Sequence, residues 1–446
     1  MKEEEIVAAT APDRSRPPRT MPLADMVWPV VEQHQIEWSG GLLPVDLIEA
    51  GGHDLVRIEW QFPVGSWHES KPLVASLTNR MLQEGSVGHS SKQIAEKLAY
   101  YGAYLHHEGG IHRSMVGVYS LGKHLEPVLP VVWELIFQPN FPAQELQTTL
   151  KNRLQELAVS LNKVSVLSRN RLMGLLFGDQ HPYGYSTREG DLLAVSTEDL
   201  VDFHRCFYQA GGLRLVVAGG NTREALRKLQ DSCPAELPRG AEHPQRRTFD
   251  AAPDPTGLPE WHRVEKADAT QHSIRLGRRA PARTHPDYPA LEVLLTLFGG
   301  YFGSRLMKNL REDKGYTYGV GAALHSRVES GWISVATEVG ASVELEAREE
   351  IIHEMNRLCT ETVGEEELNT VRAYLEGNLR SAFEGPFSPA DRLSDVQVFG
   401  LDFGYYLRYL ETLRSVQSAQ LQELAATYLR PDTFTAVVAG GSVSKQ

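Results

Sequence analysis

The sequence predicts an α+β protein built from two homologous halves, each an antiparallel sheet covered by helices. Apolar alternation typical of half-buried strands is followed by long segments with helical period. Two segments, 208–219 and 115–146, recur as 428–440 and 332–368 at an offset of about 220 residues. Both copies of the first pair read as helix, turn, apolar strand and glycine, so the repeat favours two related halves over three unrelated domains.

The first half justifies the fold class element by element. In 53–62, apolar side chains at every second position predict a strand with one buried face. The same reasoning predicts further strands at 103–108 and 113–121. Helices are predicted at 71–84, 91–101, 125–137, 142–164 and 168–177. Strands grouped beside long helices are typical of an α+β layer structure rather than a βαβ arrangement.

A proline-rich segment divides the chain. Six prolines lie between Pro234 and Pro259, and proline removes backbone donors and fixes φ, which predicts a linker. The resulting organisation is a flexible N-terminus (1–20), an N-terminal domain (21–233), a linker (234–260) and a C-terminal domain (261–446).

Composition excludes several classes of function. The 45 Lys and Arg residues are outnumbered by 57 Asp and Glu residues, so the net charge of −12 argues against nucleic acid as a partner. No apolar run approaches the ~20 residues of a membrane span. The first 20 residues lack the features of a signal peptide, so we expect a cytoplasmic protein, or a periplasmic one if a leader was removed. Three dispersed cysteines are expected to be buried thiols in a reducing compartment.

Several segments carry a family resemblance. Residues 73–86 read Leu-Val-Ala-Ser-Leu-Thr-Asn-Arg-Met-Leu-Gln-Glu-Gly-Ser, and residues 304–318 read Ser-Arg-Leu-Met-Lys-Asn-Leu-Arg-Glu-Asp-Lys-Gly-Tyr-Thr-Tyr. His-Pro-Tyr-Gly at 181–184 and Phe-Gly-Gly at 298–300 lie between them. In this order and spacing the segments resemble the pitrilysin/insulinase family of zinc peptidases, over roughly residues 40 to 441.

The family's zinc motif is degenerate in this chain. Active members carry His-x-x-Glu-His, which places two imidazoles on one helical face with a general base between them. Alignment on Met81 puts Ser76, Asn79 and Arg80 at these three positions, and none of these side chains can do the corresponding task. The stretch that would supply the third ligand offers only Glu156. We therefore expect no metal and no other cofactor in this chain.

Arg80 invites a hypothesis of its own. In this hypothesis its guanidinium replaces the charge of the lost metal and holds Glu84 or another nearby carboxylate. The alternative, which the amphipathic pattern favours, is that Arg80 extends into solvent.

A cluster of histidines in the first half is another candidate metal site. His106, His107, Glu108 and His112 lie close in sequence, but strand alternation turns His107 away from His106 and Glu108. Without a fixed ligand geometry, solvated residues at a strand edge are favoured over a ligand set.

A pair of hydrogen-bond donors is intact in the second half. Arg311 near a helix end and Tyr318 are separated by a turn at Gly315, which can bring both side chains to one side. Two such donors suit a peptide carbonyl whose oxygen gains charge. The alternative is an exposed helical arginine and a tyrosine packed in the core, and Tyr316 is the better candidate for packing. The resemblance implies that Arg311 and Tyr318 bind substrate and polarise the scissile bond.

Because the metal ligands are absent and the donors Arg311 and Tyr318 are present, we expect the zinc and the donors of one active site to come from two different chains. The chain is similar to bacterial subunits that lack zinc and form heterodimers with a chain carrying His-x-x-Glu-His and zinc. The resemblance implies a protein inactive alone that lends Arg311 and Tyr318 to a partner's site, with extended peptides bound as an added strand. Two alternatives remain: a scaffold subunit with no part in catalysis, and a homodimeric peptide-binding module.

Overall fold

Two β-sheets form the frame of the computed structural model, which describes residues 27–240, 247–249 and 261–441. The first sheet has the strand order β1-β2-β6-β3-β5-β4, and the second has the order β7-β11-β8-β10-β9. The strands are β1 (Glu32–Trp38), β2 (Gly41–Glu49), β3 (Leu55–Phe62), β4 (Tyr104–Gly109), β5 (Ser114–Leu121), β6 (Arg214–Gly219), β7 (Trp261–Glu265), β8 (Gln271–Ala280), β9 (Val320–Ser326), β10 (Gly331–Gly340) and β11 (Thr435–Gly440).

Helices connect the strands and cover the sheets. They are α1 (Val74–Met81), α2 (Ser91–Tyr100), α3 (Leu125–Phe137), α4 (Ala143–Ser160), α5 (Val164–Phe177), α6 (Glu189–Ala194), α7 (Thr197–Phe207), α8 (Thr222–Ser232), α9 (Tyr288–Leu295), α10 (Glu344–Thr360), α11 (Glu365–Ser381), α12 (Ser388–Gln397), α13 (Gly404–Ser415) and α14 (Ser418–Tyr428). Two π-helical segments, Thr296–Gly300 and Met307–Asp313, follow α9. Short 3₁₀ turns lie at Leu82–Glu84, Gly122–His124, Ala341–Val343 and Pro431–Thr433.

The two sheets share one topology. The order β2-β6-β3-β5-β4 of the first sheet matches β7-β11-β8-β10-β9 of the second, position by position. Each sheet contains a parallel pair of strands. Strand β6 is parallel to β2 and antiparallel to β3, and β11 is parallel to β7 and antiparallel to β8. The prediction of purely antiparallel sheets is therefore wrong, because a long helical crossover allows a strand to return in the parallel direction. The sequence repeat of about 220 residues stays a prediction.

Each half lends one helix to the sheet of the other half. Helix α5 packs on β8 and β11 of the second sheet, where a Cβ at Gly277 would lie 2.8 Å from a methyl carbon of Leu172. Helix α12 packs its buried Ala390 and Leu393 against Ile48 of the first sheet. This exchange joins the halves through apolar contacts as well as through the chain.

Hydrogen bonds and ion pairs reinforce the contact of α12 with the first sheet. The guanidinium of Arg57 lies 2.8 Å from Asp391, and the side-chain amide of Gln61 donates to Ser394 at 2.7 Å. Arg57 also pairs with Glu59 at 3.0 Å, so the buried charges on this sheet face are compensated. Arg57 thereby ties the two halves together.

Most predicted elements of the first half are present, with ends shifted by a few residues. Strands β1 and β2 are not among the predicted elements. Strand β1 reads Glu-Gln-His-Gln-Ile-Glu-Trp and is largely polar, as an edge strand often is. The segment 1–20 and most of 234–260 lie outside the described residues, and the predicted domain boundaries stay predictions. Cys206 is exposed, contrary to the expectation of a buried thiol. No helix among the residues described is long and apolar enough to cross a membrane.

Candidate functional site

Helix α1 carries the three positions of the degenerate motif and starts in an unusual way. Leu73, directly before it, has a left-handed φ of 72°, which costs energy for a residue with a side chain. The carboxylate of Glu69 compensates by accepting the backbone N–H of Leu73 at 3.2 Å and that of Ala75 at 2.9 Å. Burial raises the pKa of Glu69 to about 7, although both N–H groups favour the charged form.

The side chains at the three motif positions each make a contact within the first half. The hydroxyl of Ser76 donates to the carbonyl of Leu73 at 3.1 Å, within the first turn of the helix. The side-chain amide of Asn79, only 1% exposed, donates to the carbonyl of Met115 on β5 at 3.2 Å. Arg80 is exposed, and its guanidinium lies 3.5 Å from the carboxylate of Glu84 one turn later. The hypothesised pair with Glu84 is thus present, and Arg80 also extends into solvent as the favoured alternative expects.

A cavity of about 270 Å³ remains beside Ser76, and we call it the residual cavity. Glu156 of α4 lines it together with Ser76, so the predicted third-ligand position does face the degenerate motif. The remaining lining is Leu73, Leu77, Arg153, Leu157, Ser160, Thr187 and Leu192. One carboxylate beside a hydroxyl, an amide and an arginine does not fit zinc. In the described ranges no three His, Cys, Asp or Glu residues are grouped as metal ligands would be.

The histidine cluster is placed as alternation predicts. On β4, His106 and Glu108 are exposed, whereas His107 turns inward and both its ring nitrogens are buried without a partner among the described residues. Burial and the neighbouring Arg80 lower the pKa of His107 to about 4, so this imidazole is neutral. His112 instead bonds the hydroxyl of Tyr183 at 2.6 Å. The cluster is dispersed rather than convergent, but the expectation of solvated residues is wrong for His107, whose ring nitrogens are buried, and for His112, which is 6% exposed.

The donor pair lies on a segment with a defined backbone. Arg311 is in the last turn of the π-helical segment Met307–Asp313. The chain then turns at Gly315, whose φ of +66° lies in the left-handed region that glycine adopts without strain. The N–H of Tyr316 bonds the carbonyl of Leu310 at 2.8 Å and closes the turn. The predicted helix end and glycine turn are therefore observed, and strand β9 starts at Val320, two residues after Tyr318.

Arg311 and Tyr318 are both exposed. Tyr318 is 90% exposed, so the alternative of a core tyrosine is wrong, and Tyr316 is the residue that packs against the second core. The guanidinium of Arg311 lies over the ring of Phe302, 4.8 Å from its centroid. Phe302 is itself 61% exposed, which makes this cation–π contact a surface feature that orients the arginine.

Thr317 fixes the backbone on which Tyr318 stands. Its hydroxyl donates to the carbonyl of Glu338 at 2.8 Å, and the hydroxyl of Thr337 donates to that of Thr317 at 3.0 Å. Thr337 also contacts the carbonyl of Gly319 at 3.0 Å. These bonds attach the segment to β10 beyond the last rung of its ladder, so the phenol projects from a held backbone.

The degenerate motif and the donor pair are far apart within the chain. A Cβ at Gly109 would lie 3.0 Å from the Cα of Ser76, so the β4–β5 turn adjoins the motif helix. The same turn lines a cavity with Ser326, the last residue of β9. Tyr318 precedes the opposite end of β9, and eight residues of extended chain span roughly 25 Å.

Two contributors were not predicted from sequence. Thr317 was missed because its bonds depend on the position of β10, although a threonine between Tyr316 and Tyr318 gives a weak local signal. Phe302 was missed because an exposed aromatic residue in a glycine-rich turn has no period to identify it.

Comparisons with known proteins agree with this geometry. Residues 194–375 match the family described as "Peptidase M16 inactive domain". A Mycobacterium tuberculosis protein named as an uncharacterized zinc protease is 24% identical over 392 residues, covering 86% of this chain and 87% of the relative.

Solved structures share the fold. The peptidase M16 inactive domain from Pseudomonas fluorescens has a TM-score of 0.81 at 22% identity, covering 93% of this chain and 99% of that one. A protease from Helicobacter pylori has a TM-score of 0.82 at 17% identity, covering 92% of this chain and 99% of that one.

Proposed function

Because the chain belongs to the pitrilysin/insulinase (M16) family of peptidases, we propose that it is the zinc-free subunit of a heterodimeric metallopeptidase. It presents Arg311 and Tyr318 to the zinc site of a partner chain that carries His-x-x-Glu-His. There the guanidinium and the phenol bind the substrate backbone and stabilise the carbonyl oxygen as charge develops on it.

The exposure of Tyr318 is the observation that carries this proposal. A tyrosine that is 90% exposed on a backbone held by Thr317 contributes little to the core, yet its hydroxyl is directed by a fixed chain. No hydrogen bond or ion pair engages Arg311 or Tyr318 within the part of the chain that the structure describes. Both donors are therefore available to another molecule.

Distance within the chain favours donation to a second subunit. Tyr318 precedes one end of β9, and the other end, roughly 25 Å away along the strand, is the one that shares a cavity with the β4–β5 turn beside α1. A donor must come within ~3 Å of the oxygen that it stabilises. Even an intact metal motif at Ser76 could not be served by Tyr318 of the same chain. A partner that covers the exposed Tyr318 surface can bring its own metal site to this tyrosine.

The substrate is an extended peptide. Strands β4 and β9 are the last strands of their sheets, so each has a free edge to which a peptide can add by main-chain hydrogen bonds. The side chains of such a peptide alternate, and main-chain bonding tolerates many sequences. The proposal therefore includes broad specificity.

Replacement of Arg311 in a reconstituted complex tests the proposal. The partner is sought among family chains with His-x-x-Glu-His encoded by the same genome, starting with an adjacent reading frame. We expect neither chain alone to cleave a fluorogenic peptide and the mixture to cleave it. Arg311→Ala should lower kcat/KM of the mixture by about a hundredfold, the loss typical of an oxyanion donor.

The control is Arg223→Ala, which removes a guanidinium that is 76% exposed and lies in the first half. It should leave kcat/KM and assembly unchanged. Full turnover of the Arg311→Ala mixture, with assembly intact by light scattering, would contradict the proposal and favour a scaffold role.

A further inference from the structure

A polar cavity of about 320 Å³ lies next to Tyr318 on the second sheet, and we call it the donor-side cavity. Tyr318 and its two neighbours form one wall, and β8 and β10 form the floor. The lining residues are Gln271, Ser273, Arg275, Thr317, Tyr318, Gly319, Ala336, Thr337 and Glu338. A side chain of a peptide bound at Tyr318 has this cavity as its nearest depression.

Arg275 supplies a positive charge that its surroundings do not neutralise. It is half-buried on β8, opposite Ala336 of β10, whose small side chain leaves the floor open. Its only hydrogen bond among the residues described is a long one, 3.4 Å, from Nε to the hydroxyl of Ser168. No carboxylate in those residues lies within ion-pair distance of its guanidinium.

Neighbouring charges increase the positive potential at Arg275. Burial, followed by the nearby charge of Arg169 on α5, lowers the pKa of Arg275, although Glu338 acts in the opposite direction. Ser168 is fully buried and is fixed by a 2.9 Å bond to Ser273, so the hydroxyl that accepts from Arg275 is held in place. Two arginines against one carboxylate leave a local excess of positive charge in a protein whose net charge is −12.

We infer that Arg275 forms a subsite for a carboxylate of the bound peptide. The inference rests on the proposed function, because it assumes that substrate lies against Tyr318. A guanidinium presents paired donors that match the two oxygens of a carboxylate, and partial burial strengthens the interaction relative to water. The carboxylate comes from an acidic side chain or from the C-terminus of the peptide. The subsite thus adds a preference for acidic peptides to the otherwise broad specificity.

Peptide binding to the isolated full-length chain tests the inference without a partner. The probes are fluorescein-labelled ten-residue peptides of Ala, Ser and Gln, measured by fluorescence anisotropy. One has a central Glu and an amidated C-terminus, the second has Gln in place of Glu, and the third is the Gln peptide with a free C-terminal carboxylate. We expect one of the two carboxylate peptides to bind about tenfold more tightly than the neutral peptide, which identifies the source.

Arg275→Gln should abolish this preference and leave the Kd of the neutral peptide within about twofold, while the matched control Arg223→Gln retains the preference. If Arg275→Gln does not fold, as judged by its circular dichroism, Arg169→Gln on the exposed face of α5 should still reduce the preference by about twofold.

Equal binding of all three peptides to the wild type would overturn the subsite. So would a preference that survives in Arg275→Gln. Neither result bears on the effect of Arg311→Ala in the mixed complex, so failure of the subsite is distinguishable from failure of the proposed function.

Discussion

Helix α1 of the first half and the Tyr318 segment of the second half use their polar side chains in opposite ways. At α1, the side chains of Ser76 and Asn79 donate hydrogen bonds to backbone carbonyls. In the Tyr318 segment, Thr317 does the structural bonding, and Arg311 and Tyr318 project into solvent. The difference separates side chains that hold the fold from side chains that remain free for another molecule.

The comparison also explains how a metal site can be lost without collapse. Asn79 stands at the position of the general base and instead donates a hydrogen bond to β5. The guanidinium of Arg80 pairs with Glu84 in the 3₁₀ turn that follows α1. Glu156 still faces the residual cavity although no imidazole shares it. In the proposed function, the first half is a structural frame, and the donors Arg311 and Tyr318 lie in the second half.

Restoring the motif should produce the largest change. Ser76→His, Asn79→Glu and Arg80→His together place two imidazoles on one helical face opposite Glu156, so zinc should rise to about one ion per chain. The purified wild type should contain far less zinc by mass spectrometry of its metals. The triple variant should still not cleave peptides alone, because Tyr318 of the same chain is out of reach.

Adding Glu156→Gln to that triple variant is the matched control and should remove most of the bound zinc. Peptidase activity of the triple variant by itself would contradict the claim that Tyr318 cannot act on a metal site at α1 of the same chain.

An intermediate effect is expected at the start of α1. A carboxyl whose pKa is raised from 4.5 to about 7 binds its proton more tightly in the folded chain. The contribution of Glu69 to the free energy of unfolding therefore falls as pH rises from about 4.5 to 7, by about 3 kcal/mol at most. Urea unfolding at several pH values should show a stability advantage of wild type over Glu69→Gln that shrinks across this window.

The control is Glu189→Gln, which removes an exposed carboxylate in the same half. It measures how the loss of one surface charge changes the free energy of unfolding. Parallel pH curves for wild type and Glu69→Gln would show that Glu69 has an ordinary environment and that α1 begins without its help.

The smallest effect is expected at Arg80. Its 3.5 Å pair with Glu84 is partly exposed, and exposed pairs four residues apart on a helix contribute about 0.5 kcal/mol or less. Arg80→Met should lower the free energy of unfolding by no more than that, as measured in urea. A loss several times larger would mean that Arg80 maintains the residual cavity, and Arg80 would then belong with the structural residues of α1.

Local patterns predicted much of this molecule. The period of apolar residues identified β3 and α3, and the glycine turn at Gly315 placed Arg311 and Tyr318 on one segment. The parallel return of β6 could not be predicted, because strand order depends on contacts between distant segments. The exchange of α5 and α12 between the halves escaped prediction for the same reason.

The site was predictable in residue type but not in accessibility. The sequence favoured Tyr316 over Tyr318 for packing, and the fold agrees, because Tyr316 is partly buried against the second core; the 90% exposure of Tyr318 could be read only from the structure. Arg275 had no motif to identify it, because its significance comes from Arg169 on a helix more than 100 residues earlier in the sequence.

The proximity of Tyr318 to the metal of another chain is the most direct test of the account. The partner's zinc is exchanged for Co²⁺, and this chain is labelled with 3-fluorotyrosine, with the Tyr318 resonance assigned by its loss in Tyr318→Phe. In the mixed complex with bound peptide, the account predicts that Co²⁺ strongly broadens or shifts the Tyr318 resonance relative to the Zn²⁺ complex. A Tyr318 resonance identical with either metal, in a complex that cleaves peptide, would contradict it.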